Sequence, residues 1–383
     1  MTALVKTGSA RPKTRWHQYR LPIACLLSFL TYTLLSITYG ELHFENALDS
    51  LLITFNDFED FGPSYKAALT AAGKESFDYS FLTWGNTTTS STIPPIVHFI
   101  WFQDLYNIDP EANEMPHLGA NTPDLCMKYN PYYQVNVWNE TASRDLLEKN
   151  YAWFLPTYDT YKYPIQRVDA IKYFILYHYG GVYLDMDVSC RKGLDPLLNF
   201  PAWFPRASPI GVNNDVMASR PGHPLMWKMI DSLRPRNKNL LSSFLTIYWS
   251  TGPRYTSDML RTFLHEHGIH GAAGSSGQEG AHFKRSSDAN AVYVLPQEFY
   301  SEQYTFFGHR PGGTWYGEDV AMVLWLVKRP LVVVMGFLLI ATFVFVATAK
   351  KCRARVLRTV SSTRGQFVRH RYQRVRTEEM EEV

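Results

Sequence analysis

Cysteine is scarce, with four residues in 383, so no disulfide framework organises this chain. Cys25 and Cys352 lie toward the ends; Cys126 and Cys190 stand between them, and whether those two pair is left open by the sequence. Acid is missing altogether before Glu41. Five Lys and Arg precede that position and ten run from Lys350 onward, leaving 23 bases against 31 acids in the middle, a net of −8. A nucleic-acid binder carries basic charge on its folded domain, and here that charge sits at the two ends, which excludes nucleic acid as the partner. No internal repeat is present, and with 46% apolar and 15% aromatic residues most of the chain is no disordered polymer.

Charge is also absent between Arg20 and Glu41. The stretch Leu21 to Tyr39 is long enough to span a hydrocarbon core of ~30 Å; the competing cleaved signal peptide lacks an A-x-A-like cleavage site. Leu331 to Thr348 (LVVVMGFLLIATFVFVAT) is more apolar and is bracketed by Lys328, Arg329 and Lys350, Lys351. The positive-inside bias then puts both tails in the cytosol. The expected layout is a basic cytosolic tail (1–20), a transmembrane helix (21–39), a lumenal membrane-proximal region (41–92), a catalytic domain (93–328), a second transmembrane helix (331–348) and a disordered cytosolic tail (349–383). Two sequons, Asn86-Thr-Thr and Asn139-Glu-Thr, fall in the lumenal part and agree with a glycoprotein facing the lumen of the secretory pathway. Cys352 sits where palmitoylation occurs, or where an inert thiol would do as well.

Within the lumenal part, IVHFIWF (96–102) after Pro94-Pro95 reads as a buried strand. A helix near Asp124 to Tyr129, a strand near Gln134 to Trp138 and a helix over Thr141 to Asn150 follow, an alternation that predicts an α/β domain with a largely parallel sheet. The stretch 265–290, rich in Gly, Ser and His, reads as a loop; His265, His267 and His270 lack the H-E-x-x-H pattern of a zinc site.

The most informative stretch is QRVDAIKYFILYHYGGVYLDMDVSC (166–190). Val168, Ile171, Ile175 and Tyr179 recur at helical spacing, Gly180-Gly181 ends the helix, and a strand begins at Val182. Asp185 and Asp187 then fall where that strand ends, the side on which open α/β sheets bind ligands. A D-x-D triplet alone arises by chance about once in a chain this long; the helix, glycines and apolar strand before it give it weight. Hard carboxylate oxygens suit Mg²⁺ or Mn²⁺, and such an ion on a diphosphate neutralises charge on a departing nucleotide.

RVDAIKYFILYHYGGVYLDMDVSC resembles the core of the DXD-containing sugar transferases of glycosyltransferase family 32, and the resemblance extends through IPPIVHFIW, LDPLL, PIGVNNDVMASRPGHP and FFGHRPGGTWYGED, about residues 93–320. It implies a GT-A, Rossmann-like fold and a retaining reaction. The group resembled most within that family, to judge by the second apolar span, transfers mannose from GDP-mannose to inositol phosphorylceramide and works with a multi-span regulatory subunit.

Carried over by position, the resemblance implies that Asp187 binds the metal directly and that Asp185 touches the donor's ribose or, through water, the metal. Asp169 would hold hydroxyls of the donor sugar. Family members have Arg where Lys172 stands, three residues on and on the same helix face; Lys lacks the bidentate fork, and Arg167 is the neighbouring basic candidate. Trp101 would stack on the base, and Tyr183, two before Asp185, would border the donor. Asn213-Asn214-Asp215, read as preceding a helix, either caps it or, by the resemblance, faces the reacting sugar or the acceptor. His309 is the candidate third metal ligand, with Trp315 and Asp319 beside it on the last loop; the family's Gly-Ser-Ser-Trp-His reads Gly312-Gly313-Thr314-Trp315-Tyr316 here. His309 and Leu331 are close in sequence and Val320 to Val327 is apolar, which holds that loop near the bilayer and favours a lipid acceptor. Transfer to a protein-linked glycan and a non-catalytic membrane subunit with the same fold are the competing functions.

Overall fold

Between residues 96 and 150 strands and helices alternate as the sequence pattern predicts, whereas strands follow one another over 181–219 and helices over 224–266. The computed structural model describes residues 17–53, 91–102, 122–267, 289–300 and 306–309, with isolated positions between 325 and 346. The chain divides into two compact units, Met1–Trp315 and Tyr316–Val383, and the elements below belong to the first.

Helix α1 (His17–Ser50) is followed by β1 (Ile96–Ile100), α2 (Thr122–Tyr129), β2 (Gln134–Trp138), α3 (Glu140–Asn150), a short α4 (Leu155–Asp159), α5 (Pro164–Tyr179), β3 (Gly181–Leu184) and β4 (Val188–Cys190). Then come β5 (Ala202–Pro205), β6 (Val216–Ser219), α6 (Pro224–Arg236), α7 (Ser243–Ser250), α8 (Pro253–Glu266), β7 (Tyr293–Leu295) and β8 (Phe307–His309). Helix α3 starts at Asn139, exposed, whose side-chain oxygen accepts from Ala142 N at 2.8 Å, so the sequon residue is also a helix cap. Helix α5 starts on Pro164, and the Gln166 side chain accepts from Tyr163 N at 3.1 Å. It stops at Gly180 (φ 66°), and Gly181 (φ 97°) begins β3 against β1, where an added Cβ would lie 2.6 Å from Ile96 O.

The main sheet has strand order β2-β1-β3-β6-β5-β7. β1 runs parallel to β2 and β3, and β5 parallel to β7, while β6 is antiparallel to both β3 and β5. Five of the six strands therefore point the same way, the largely parallel sheet that the sequence predicts, and β6 alone runs against them. The reason lies between β5 and β6, where the chain doubles back through the Arg206–Val212 bridge with no crossover helix, and a strand entered that way is antiparallel. The triplet Asn213–Asp215 consequently leads into strand β6, not a helix as expected, and helix capping is not its role. A second, two-stranded sheet pairs β4 with β8.

Side chains alternate across β3. Tyr183 joins a core formed with α1, α5, α6 and α8, while Val182 and Leu184 join another formed with β1, the 194–200 segment and β8. Both faces of the sheet are covered, which explains why β3 reads as a continuous apolar run. After α1 the chain bridges to β7, with Ile53 N to Val294 O and Val294 N to Leu51 O both at 2.8 Å.

The segment Leu21 to Tyr39 is helical within α1, but no helix among the described residues is long and apolar enough to cross a membrane. The other expected span, Leu331 to Thr348, lies almost wholly outside the described residues, as do Trp315, Asp319 and Asn86.

Candidate active site

The acids converge at the carboxyl end of β3. Asp185 N donates to Asp215 O at 2.7 Å, tying the end of β3 to the start of β6. Asp187 follows in a tight turn closed by Val188 N to Asp185 O at 2.9 Å. Three further restraints hold that turn. Thr122 Oγ1 on α2 donates to Met186 O at 2.9 Å, Cys126 and Cys190 form a disulfide, and β4 pairs with β8 so that Val188 lies opposite His309. The register brings His309 beside Asp187, with Nε2 to Oδ2 at 3.6 Å.

Lys172 lies behind the acids, with 2% of its side chain exposed. Its Nζ is 2.9 Å from Asp169 Oδ1, 3.4 Å from Asp185 Oδ1 and 3.1 Å from Asn214 O, and it sits 4.7 Å from the centre of the Tyr183 ring. An ammonium has three protons, and all three have protein acceptors. Lys172 thus acts as the buried counter-charge of the cluster. Burial disfavours its charge, but Asp169 and Asp185 more than offset this and hold its pKa above the ordinary lysine value.

Asp169 is equally engaged. Oδ1 also accepts from Asn214 Nδ2 at 3.1 Å and Oδ2 from Thr251 Oγ1 at 3.1 Å. Tyr183 is buried beneath Asp185 and donates to its Oδ1 at 2.6 Å. Asp185 itself is held above the usual carboxylate range by burial; Lys172 opposes this, the Asp187 and Asp215 charges add to it, and the Tyr183 bond again opposes it. Arg167 pairs with Glu140 of α3 at 3.6 Å, and Trp101, partly buried after β1, bonds through its backbone N to Trp138 O at 2.8 Å.

Asp215 is the least satisfied of the acids. Oδ2 accepts from Asn213 Nδ2 at 2.6 Å and from Tyr300 OH, whereas Oδ1 is buried with no hydrogen-bond partner. Burial, with the nearby Asp187 charge, raises its pKa in spite of the Tyr300 bond and His309. Tyr300 OH also lies 3.0 Å from His309 Nδ1. A phenol that has donated to Asp215 can only accept from that ring nitrogen, so Nδ1 carries a proton, and Nε2 faces Asp187 as a lone pair in the neutral ring and as a proton donor in the charged one. Burial disfavours charge on His309, but Asp187, Asp215 and Asp185 outweigh it and raise its pKa.

With His309 neutral, its Nε2 and the Asp187 carboxylate, beside the orphaned Asp215 Oδ1, form a donor set that fits a hard divalent cation, which would replace the proton between them. Among the described residues no three His, Cys, Asp or Glu side chains converge as a complete metal shell, so the remaining positions would fall to the ligand and water. The sequence had singled out Asp185, Asp187, Asp215 and His309, and the fold brings them together. It gave no sign of Tyr300 or Thr251, which have no motif around them and reach the cluster across long stretches of chain.

Residues 116–203 match the family model described as the glycosyltransferase sugar-binding region containing DXD motif. The chain is 32% identical over 278 residues to inositol phosphoceramide mannosyltransferase 3 of Schizosaccharomyces pombe, covering 70% of each. It is 34% identical over 248 residues to mannosyl phosphorylinositol ceramide synthase SUR1 of Saccharomyces cerevisiae, covering 64% of this chain and 58% of that protein. Among solved structures the PaToxG glycosyltransferase overlaps only slightly, with a TM-score of 0.37 and 16% identity over 46% of this chain and 72% of that one.

Proposed function

Because the chain belongs to the inositol phosphoceramide mannosyltransferase family of DXD-containing glycosyltransferases, we propose that it transfers mannose from GDP-mannose to inositol phosphorylceramide with retention of configuration, on a GT-A-type fold. The observation that carries this reading is the grouping of Asp185, Asp187, Asp215 and His309 at the end of β3, with Asp185 tied to the buried Lys172. A nucleotide-sugar donor is what the family uses, and usually a divalent metal. Mn²⁺ or Mg²⁺ would be held by Asp187 and His309 with Asp215 close by, and when bound it supplies neutralisation of the diphosphate leaving group.

The chain's own residues supply the rest. The bond from the sugar's anomeric carbon to the phosphate oxygen breaks, and a bond to an inositol oxygen forms on the same face. The hydroxyl's proton leaves with the departing GDP. Asp169, fixed by Lys172, Asn214 and Thr251, presents a rigid edge to the sugar hydroxyls. Tyr183 and Lys172 hold Asp185 in one rotamer, and Tyr300 orients Asp215 and His309 together. Trp101, placed after β1 on the same side of the sheet, is suited to the base.

Attachment to the Golgi membrane through α1 and the 331–348 run, with the catalytic unit lumenal and a multi-span subunit alongside, completes the reading. Purified full-length protein assayed with GDP-mannose and Mn²⁺ against inositol phosphorylceramide and against a high-mannose glycan tests it. The expected result is a mannosylated lipid alone. A product on the glycan alone, or none on either, overturns it.

A further inference from the structure

Helix α1 is packed at one end and bare at the other. Phe44, Ala47, Leu48 and Leu51 are buried in the core. Glu41 pairs with Arg254 at 2.9 Å and also with Arg261, and Glu45 pairs with Arg206 at 2.7 Å and accepts from Gly211 N at 2.8 Å. Toward the N-terminus from Glu41 the helix exposes Phe29, Tyr32, Leu34, Leu35, Ile37 and Tyr39. An apolar surface of that size is not left to water.

A second exposed apolar surface begins where this one meets the domain. Leu241, just before α7, is 100% exposed, Leu240 beside it is exposed, and Trp249 at the end of α7 is 43% exposed. Between them Phe244 stacks on Tyr248 with centroids 5.4 Å apart. The link to α1 is Arg254, since the guanidinium that holds Glu41 also lies 5.5 Å from the centre of the Trp249 ring. Arg234 and Lys238, both exposed, precede the two leucines. Apolar side chains continuous with an apolar helix and preceded by cations have the chemistry of a surface lying in the headgroup layer of a leaflet that contains anionic lipid.

This surface is wired to the acids. Ser250 Oγ accepts from Gln166 Nε2 at 2.8 Å, and Thr251, the residue after α7, holds Asp169. We propose that residues 234–249 form an interfacial lipid-docking surface, in which Leu240, Leu241 and Trp249 enter the leaflet beside α1 while Arg234 and Lys238 meet anionic headgroups. Docking there fixes the orientation of the Asp169 end of the site toward a lipid rising from the same leaflet. The purpose assigned to the surface rests on the lipid acceptor proposed above; the docking itself does not.

The test uses full-length protein with Cys25 and Cys352 replaced by serine. A single free cysteine, beside the Cys126–Cys190 disulfide, is placed by Leu241→Cys or, as the reference, by Tyr132→Cys ahead of β2, where the native side chain is 93% exposed. Each carries a polarity-sensitive fluorophore and is reconstituted in vesicles of phosphatidylcholine with a minor share of phosphatidylinositol. Brominated acyl chains are expected to quench the probe at 241 several-fold more than the probe at 132, and equal quenching overturns the inference. In the same vesicles Leu241→Asp is expected to raise the KM for inositol phosphorylceramide about tenfold, and an unaltered KM counts against docking. Selective quenching at 241 in a protein that transfers nothing to lipid leaves the docking surface standing and removes the proposed acceptor. Transfer to lipid with the 241 probe in water does the reverse.

Discussion

Two polar clusters lie at opposite ends of β3. At the glycine end His98 is fully buried, its Nε2 donating to Gly180 O at 2.9 Å and its Nδ1 accepting from Trp138 Nε1 at 3.1 Å. Both ring nitrogens are satisfied, and burial, only partly opposed by the Gly180 bond, lowers its pKa to about 4. At the carboxyl end Asp169 and Asp185 share the buried Lys172, and Asp215 Oδ1 has no partner. His98, which holds the fold, is thus neutral and fully bonded. Asp215, beside Asp187 and His309, is buried with one oxygen left short of a partner and its pKa raised, at a cost the rest of the fold must offset.

The sharpest test of that contrast is Asp187→Ala. Its side chain is partly exposed next to His309, so the fold should survive while mannosyl transfer falls on the order of a thousandfold. Single-turnover assay beside thermal unfolding reads both, and a variant retaining most of its activity removes the acid cluster from the chemistry. Lys172→Met should act the other way round. Removing a buried cation leaves Asp169 and Asp185 uncompensated, for a stability loss of about 3–5 kcal/mol. A variant whose melting temperature is unaltered shows that the lysine is no counter-charge.

At the other end of β3 the expected effect is a pH slope. Below about pH 6.5 the unfolded chain binds a proton on His98 that the native state refuses until about pH 4. Stability therefore falls with falling pH across that window, by about 1.4 kcal/mol per unit and about 3 kcal/mol in all. His98→Gln keeps a donor and an acceptor but cannot titrate. Relative to the parent, it should gain that amount between pH 7 and pH 4, with little change in transfer rate at pH 7. Parallel stability curves would show that His98 is not held neutral.

The glycine-end elements were legible in the sequence because the information is local. Ile96–Ile100 is a β-branched and aromatic run after two prolines, and α5 carries its own period and its own glycine stop. Asp169 and Lys172 were singled out by the family resemblance, helix spacing put them on one face, and they lie 2.9 Å apart. What the sequence hid is whatever depends on how distant segments meet. Thr251 reaches Asp169 across 82 residues and Tyr300 reaches Asp215 across 85. The disulfide between Cys126 and Cys190 depends on α2 lying against β4. The strand after Asp215 was mistaken for a helix because a four-residue apolar run has no period to read.

Tyr300 gives the smallest effect and the most specific one. Its hydroxyl serves Asp215 and His309 at once, so Tyr300→Phe removes a donor from one and the tautomer-fixing acceptor from the other, with the ring retained. The bond to Tyr300 lowers the Asp215 pKa. Losing it moves that pKa upward, so the acid limb of the transfer rate should shift to higher pH. His309 without its partner is free to turn or to protonate on Nε2, so the Mn²⁺ concentration giving half-maximal rate should rise about tenfold. A purely structural tyrosine would lower stability and move neither the acid limb nor the Mn²⁺ dependence. Both moving together would assign Tyr300 as a positioning residue, acting through the two groups that stand beside Asp187.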